Sequence, residues 1–152
     1  MGQNLFIQMQ QIEKIFKYCA YQDRSVYETR LKIKSLKMDT LDEERLIERL
    51  ISEKYLDDNR FARHYVQGKL NAKGWGIAKI KMGLVQKGIN PSIINEVLQS
   101  IDKTQYEDNL KKEVEKWTRI HPLNHTNKPK LIRFLLSKGY SYDQITQIID
   151  IE

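Results

Sequence analysis

The chain repeats itself at a spacing of 51 residues. Residues 84–89 (LVQKGI) match residues 135–140 (LLSKGY), and the flanking apolar positions stay in register, with Ile80 falling on Leu131 and Ile94 on Ile145. A period of this length indicates a supersecondary unit that buries its apolar face against copies of itself. The chain is therefore predicted to form an array of small units rather than one large core.

Each unit is predicted to be helical. No segment alternates apolar and polar residues for long, and turn-forming residues recur every 12 to 18 positions. Helices are expected at about 5–20, 24–36, 41–54, 58–71, 76–87, 91–101, 106–119, 128–138 and 142–150. Gly88 and Gly139 each follow an amphipathic helix, where a left-handed residue ends the helix at little cost to glycine.

The predicted fold class is all-α, with three tandem three-helix repeats forming an elongated, curved helical array. The repeats are expected at residues 1–54, 55–103 and 104–152. A unit of about 50 residues buries little surface alone, so neighbouring units must stack. The first unit has Lys37 and Met38 where the glycine would be. The apolar positions of its last helix are expected four residues later than the 51-residue spacing predicts, with Asp39 to Asp42 lengthening the turn.

Charge is concentrated in the second unit. Residues 59–95, which we call the central acid-free stretch, contain no Asp or Glu but carry seven Lys and Arg residues, more than the net charge of +6 of the whole chain. Such a basic region in an otherwise near-neutral chain favours docking on an anionic partner. The alternative is a solvated helix surface.

The helix expected at 58–71 separates its basic and apolar residues. Arg60, Arg63 and His64 share one face, whereas Phe61, Ala62, Tyr65, Val66 and Leu70 share the opposite face. Asp57 or Asp58 is predicted to cap this helix and Gly76 to cap the next one. Gly83, in mid-helix, predicts a close helix crossing.

Trp75 has two open interpretations. Between Gly74 and Gly76 it is either a plug between helices, or an exposed aromatic anchor that stacks on a base or fills a partner pocket. The predicted partner-binding residues are Arg60, Arg63, His64, Lys69, Lys73, Trp75, Lys79 and Lys81.

The sequence offers little for catalysis or metal binding. His121 and His125 are separated by Pro122 and need not share a helical face, and Cys19, the only cysteine, is expected in the core. No nucleophile, base and orienting group can be assembled, so we expect neither an enzyme nor a cofactor. No apolar run approaches the length of a membrane span and no signal peptide is recognisable, so we expect a cytoplasmic protein without membrane contact. The mostly polar outer faces of the stacked units favour a monomer.

These motifs resemble the RecX regulatory proteins. The resemblance rests on YLDDxRFAxxYV at residues 55–66, KGWGxxxI at 73–80, LxxKGI at 84–89 and, upstream, RSxxE at 24–28, where Thr29 follows instead of the usual Leu. It implies a protein of three three-helix repeats that binds the RecA recombinase filament on single-stranded DNA. It also implies that the protein modulates, most often inhibits, the ATPase, strand-exchange and co-protease activities of RecA.

Two other functions stay open. One is a direct nucleic-acid-binding module, since three-helix units with basic helices are similar in outline to helix-turn-helix domains. The other is an adaptor that binds a different protein.

Overall fold

The computed structural model describes residues 2–149, and side chains from residue 5; the predicted boundaries at residues 1 and 150–152 lie outside the described residues. Over this range there are nine α-helices, one π-helical turn and no strand, which confirms the all-α class. The elements are α1 (Gly2–Tyr21), α2 (Val26–Ser35), α3 (Thr40–Ser52), α4 (Asp58–Gly68), the π-turn (Lys69–Lys73), α5 (Ile77–Gln86), α6 (Pro91–Gln99), α7 (Lys103–Ile120), α8 (Lys128–Ser137) and α9 (Tyr142–Ile149).

Polar side chains begin several of these helices. Ser25 accepts from the Glu28 amide while the Glu28 side chain accepts from the Ser25 amide, which is a complete capping box for α2. Asp57, not Asp58, caps α4 by accepting from the Arg60 amide, and Gly76 takes the N-cap position of α5 in an extended conformation. The first turns of α2 and α4 are thus specified by residues next to them in the sequence.

The 51-residue register holds through all three units, so the predicted four-residue drift is wrong. Lys37, Gly88 and Gly139 all have a left-handed backbone, with φ of 56°, 72° and 104°. Asp39 caps α3 directly after this turn, as Asn90 caps α6. The extra residues of the first unit therefore lengthen α3 and do not lengthen the turn.

Two separate hydrophobic cores stabilise the array. The first unit and Leu56 form one core around Ile15, Ile33 and Leu50. The second and third units share the other, which runs without interruption from Phe61 to Ile149. The array therefore joins a continuous two-unit block to a first unit that packs on its own.

The second and third units are joined end to end through backbone groups. The amides of Gly76 and Ala78, at the start of α5, donate to the carbonyls of Lys138 and Gly139, at the end of α8, at 2.7 and 3.1 Å. The amide of Ile77 donates to Tyr106 Oη at 2.8 Å. Helix ends normally leave such groups unpaired, so this junction satisfies both ends at once.

The same junction explains two glycines. A Cβ atom on Gly76 would lie 2.3 Å from the carbonyl carbon of Gly139, and one on Gly139 would lie 2.7 Å from the Gly76 oxygen. Gly83 confirms the predicted close approach, since a Cβ there would come into the phenol of Tyr65, on α4.

The first and second units are joined through side chains instead. Asp58 Oδ1 accepts from the amide of Val26, at the start of α2, at 2.9 Å. Lys87 Nζ reaches Glu28 Oε2 at 2.7 Å, close to Gly88, which packs on Tyr27. These contacts are polar and partly open to solvent, whereas the second and third units share an apolar core as well as their backbone hydrogen bonds.

Candidate partner-binding surface

The two faces of α4 separate as its pattern predicts. Phe61, Ala62 and Val66 are buried, whereas Arg63 and His64 are exposed. Burial of one face fixes how the helix is rotated, so its basic face must point away from the shared core.

Arg60 and His64 are engaged within the chain. The guanidinium of Arg60 donates to the carbonyls of Lys54 and Tyr55 and lies 3.7 Å from Asp23 Oδ1. His64 Nδ1 lies 2.5 Å from Asp23 Oδ2. The Asp23 carboxylate, from the first unit, therefore offsets the positive charge at this end of the basic face.

The other cations of the central acid-free stretch are less restrained. Arg63, Lys73 and Lys81 are exposed and form no ion pair with any described residue. Lys87 differs, because it is held by Glu28. The candidate surface thus carries unpaired positive charge on α4, on the π-turn and on α5.

Trp75 is half-buried and lies beside two further lysines of the central acid-free stretch. Its indole packs against the shared core, while Lys69 Nζ and Lys79 Nζ approach its ring centroid to 4.6 and 4.4 Å. Ammonium groups at such distances from an indole face are attracted to it, which orders two flexible side chains. The ring packs against the core, as the first interpretation predicts, whereas a contact of Trp75 with a partner stays a prediction.

The third unit holds the loop that carries Trp75. Lys138 Nζ donates to the Lys73 carbonyl at 2.7 Å and Tyr140 Oη donates to the Gly74 carbonyl at 2.8 Å. Glu113, almost fully buried, lies 3.5 Å from Lys138 Nζ and sits where a Cβ on Gly74 would be. Burial raises the pKa of Tyr140, which keeps its hydroxyl a donor.

Sequence reasoning missed this holding role. The KGWG motif predicts a contact site for a partner. In the structure, Gly74 and Gly76 both make room for residues of the third unit. The only signal in the sequence was the pairing of Gly76 with a second glycine, Gly139, at a helix end. Nothing in the pattern around Glu113 predicted a buried carboxylate there.

Asp58 is the other residue whose role the sequence did not predict. Its carboxylate accepts from Val26 across the unit boundary and is partly buried. Burial raises the pKa of Asp58, opposed by that hydrogen bond. Asp57 caps α4 and Asp58 joins two units, so both carboxylates of the pair have structural roles.

Metal and membrane sites find no support in the residues described. Nowhere in residues 2–149 do three His, Cys, Asp or Glu side chains converge as metal ligands. His121 stacks on Trp117 at 4.6 Å, whereas Cys19 is buried as expected, with its thiol pKa raised by burial. None of the described helices has the length and apolar character needed to cross a bilayer.

Comparisons with known proteins agree on one family. A family model described as "RecX, second three-helix domain" matches residues 57–98, and one described as "RecX, third three-helix domain" matches residues 105–149. A crystal structure of RecX from Lactobacillus salivarius superposes with a TM-score of 0.81 at 26% identity, covering 96% of each chain.

Curated relatives point the same way. The chain is 36% identical to the regulatory protein RecX of Clostridium tetani over 91% of its own length, and 33% identical to that of Clostridium acetobutylicum over 91%. It spans 62% and 63% of the length of these two relatives. Two matched domains and the shared three-unit architecture lead to one conclusion: the chain belongs to the RecX family of regulatory proteins.

Proposed function

We propose that this chain binds the RecA recombinase filament on single-stranded DNA and inhibits its ATPase, strand-exchange and co-protease activities. In this role it acts without catalysis of its own, as a cytoplasmic monomer in recombinational repair and the SOS response. Membership of the RecX family is the observation that carries the proposal.

The proposed contact is the basic surface around Trp75. Arg63, Lys73 and Lys81 supply exposed positive charge, and the Lys69–Trp75–Lys79 cluster supplies an ordered anchor beside them. Arg60 and His64 act through Asp23, setting the angle between the first and second units. The repeat boundaries proposed for this body remain 1–54, 55–103 and 104–152.

Inhibition is expected because the bound protein occupies the helical groove of the filament. A stacked array that lies in the helical groove of a filament touches successive protomers and restricts the motion that each cycle of ATP hydrolysis requires. The shared core and backbone junction of the second and third units favour this mechanism, because a rigid block transmits such a restraint.

The test compares two matched triple variants. The central triple is Arg63→Glu, Lys73→Glu and Lys81→Glu; the control triple is Lys14→Glu, Lys34→Glu and Arg45→Glu, three exposed cations of the first unit. Each lowers the net charge equally. RecA ATPase on single-stranded DNA is measured as each protein is titrated.

We expect the central triple to need at least about tenfold more protein for half-inhibition, and the control triple to stay within about threefold of the parent chain. No inhibition by the parent chain at saturation, with RecA still active, would end the proposal. Equal losses of inhibition in both triple variants would show that the basic surface around Trp75 is not the contact.

A further inference from the structure

A second acid-free stretch lies in the third unit. Residues 116–142 contain no Asp or Glu and carry six Lys and Arg residues, so the two acid-free stretches together hold half of the chain's 26 basic residues and none of its 20 acidic ones. This separation is sharper than a solvated surface needs, because solubility is served as well by mixed charge.

Two exposed cations of this stretch are neighbours on α8, and a third lies on α7, the helix before it. Lys130 and Arg133 are three residues apart on the exposed side of α8, opposite the buried Leu131 and Leu135, and Arg119 lies in the last turn of α7. None of the three forms an ion pair with a described residue. Lys116 and Lys138 are instead turned to Glu113.

The repeat register connects this patch to the surface around Trp75. Lys130 is the 51-residue equivalent of Lys79, and the end of α8 meets the start of α5 through backbone hydrogen bonds. At a rise of 1.5 Å per residue, Arg133 lies about 9 Å before this joint on α8 and Lys79 about 4.5 Å beyond it on α5. A few nucleotides of one strand can bridge such a span.

We propose that Arg119, Lys130 and Arg133 form a direct contact for the phosphate backbone of single-stranded DNA, continuous with the central surface and independent of RecA. A protein partner presents mixed charges, and a surface complementary to it would carry some carboxylates. A stretch free of acidic residues over the last turn of α7, the following loop and all of α8 instead fits a polymer whose every repeat is negative.

Exposed aliphatic side chains favour a single strand over a duplex. Ile120, beside Arg119, is 75% exposed, and Leu136 lies one turn beyond Arg133 at 43%. Unpaired bases offer apolar faces that can cover such residues, whereas a duplex keeps its bases stacked inside.

The experiment measures DNA binding with RecA absent. A fluorescein-labelled oligothymidylate of about twenty nucleotides is titrated with the parent chain, with the triple Arg119→Glu, Lys130→Glu and Arg133→Glu, and with the first-unit control triple, from about 50 to about 200 mM NaCl. A duplex of equal length is titrated alongside. Circular dichroism checks that both triples keep the helical content of the parent chain.

We expect the third-unit triple to bind at least about tenfold more weakly, and its salt slope to fall by about two, since each lost phosphate contact on a single strand removes about 0.7. The control triple should stay within about threefold. Equal losses in both triples, no binding by the parent chain at the lowest salt, or equal or tighter binding to the duplex would overturn the proposal.

Measuring RecA inhibition by the same proteins distinguishes this proposal from the proposed function. If the third-unit triple binds the oligonucleotide normally but no longer inhibits RecA, the patch contacts protein and the DNA assignment is wrong. If the parent chain binds DNA through this patch but never inhibits RecA, the proposed function fails while this inference stands.

Discussion

Gly68 and Gly76 show how the same residue type serves different ends at different places. A Cβ on Gly68 would meet nothing within 4 Å, whereas one on Gly76 would lie 2.3 Å from the backbone of Gly139. The first glycine therefore only weakens its helix, and the second is required by the junction.

Alanine at each position makes the difference measurable. Gly76→Ala should lower the free energy of unfolding by about 2–4 kcal/mol, because rigid backbone must move. Gly68→Ala, the control, should raise it by about 0.5–1 kcal/mol by restricting the unfolded chain. Urea unfolding followed by circular dichroism gives both values; equal effects at the two sites would contradict the described approach of α5 and α8.

Glu43 is buried at a position where the other units have isoleucine. It is 5% exposed and its Oε1 has no hydrogen-bond partner, while its equivalents Ile94 and Ile145 are core residues. A buried carboxylate oxygen without a partner costs stability.

Glu43→Ile should therefore stabilise the first unit by about 1–2 kcal/mol. Glu48→Ile, on the exposed side of the same helix, is the control and should change little. Thermal unfolding compares the two variants with the parent chain. A lower melting temperature for Glu43→Ile would show that the carboxylate finds a partner in solution.

At the scale of the element, α2 depends on Glu28 for two separate functions. Oε1 accepts from the Ser25 amide to close the capping box, and Oε2 accepts from Lys87 to join the second unit. One side chain thus links the start of a helix to the placement of a neighbouring unit.

Substitutions can separate these functions. Glu28→Gln keeps an acceptor for Ser25 but loses the charge pairing with Lys87, and should cost about 0.5–1 kcal/mol. Glu28→Ala loses both and should cost about 1–3 kcal/mol. Lys87→Met, which leaves the cap intact, should resemble the glutamine variant in urea unfolding. If Lys87→Met instead matched the alanine variant, the cap would contribute little.

Helix positions followed from the sequence because their signals are local. Caps such as Asp57 and periodic apolar residues lie within one turn of what they specify. The turn at Lys37 was mispredicted for the opposite reason, because a non-glycine residue adopts the left-handed conformation there and no composition rule announces it. The residues of the π-turn after Gly68 show no sequence pattern that predicts a π-helical turn.

At the scale of the whole molecule, the two cores predict unequal stability. The second and third units share apolar contacts and backbone hydrogen bonds, whereas the first unit is joined by polar side chains. Partly exposed ion pairs weaken in salt, and apolar contacts do not.

Native-state hydrogen exchange should therefore reveal two cooperative units. Amides of α4 to α9 should share one opening free energy, and amides of α1 to α3 a lower one. Raising NaCl from about 0.1 to about 1 M should lower only the second value further. A single opening free energy across all helices would contradict the division.

The candidate surface was predictable in its charge but not in its details. The absence of acidic residues over 59–95 is visible in the sequence. That Asp23 holds Arg60 and His64 is not visible, because the contact joins residues about 40 positions apart and depends on how two units stack. Local pattern gives the face of a helix, and only packing gives what lies opposite it.

The end-to-end joint of α8 and α5 also bears on whether further copies of the chain can stack on the array. Ala78, which donates to Gly139, corresponds in the 51-residue register to Pro129, which has no amide hydrogen to donate. At the opposite end, Lys37 carries the Cβ that Gly139 lacks. Neither of these two helix ends can repeat the joint, so copies of this chain cannot be stacked head to tail into open-ended fibres through it.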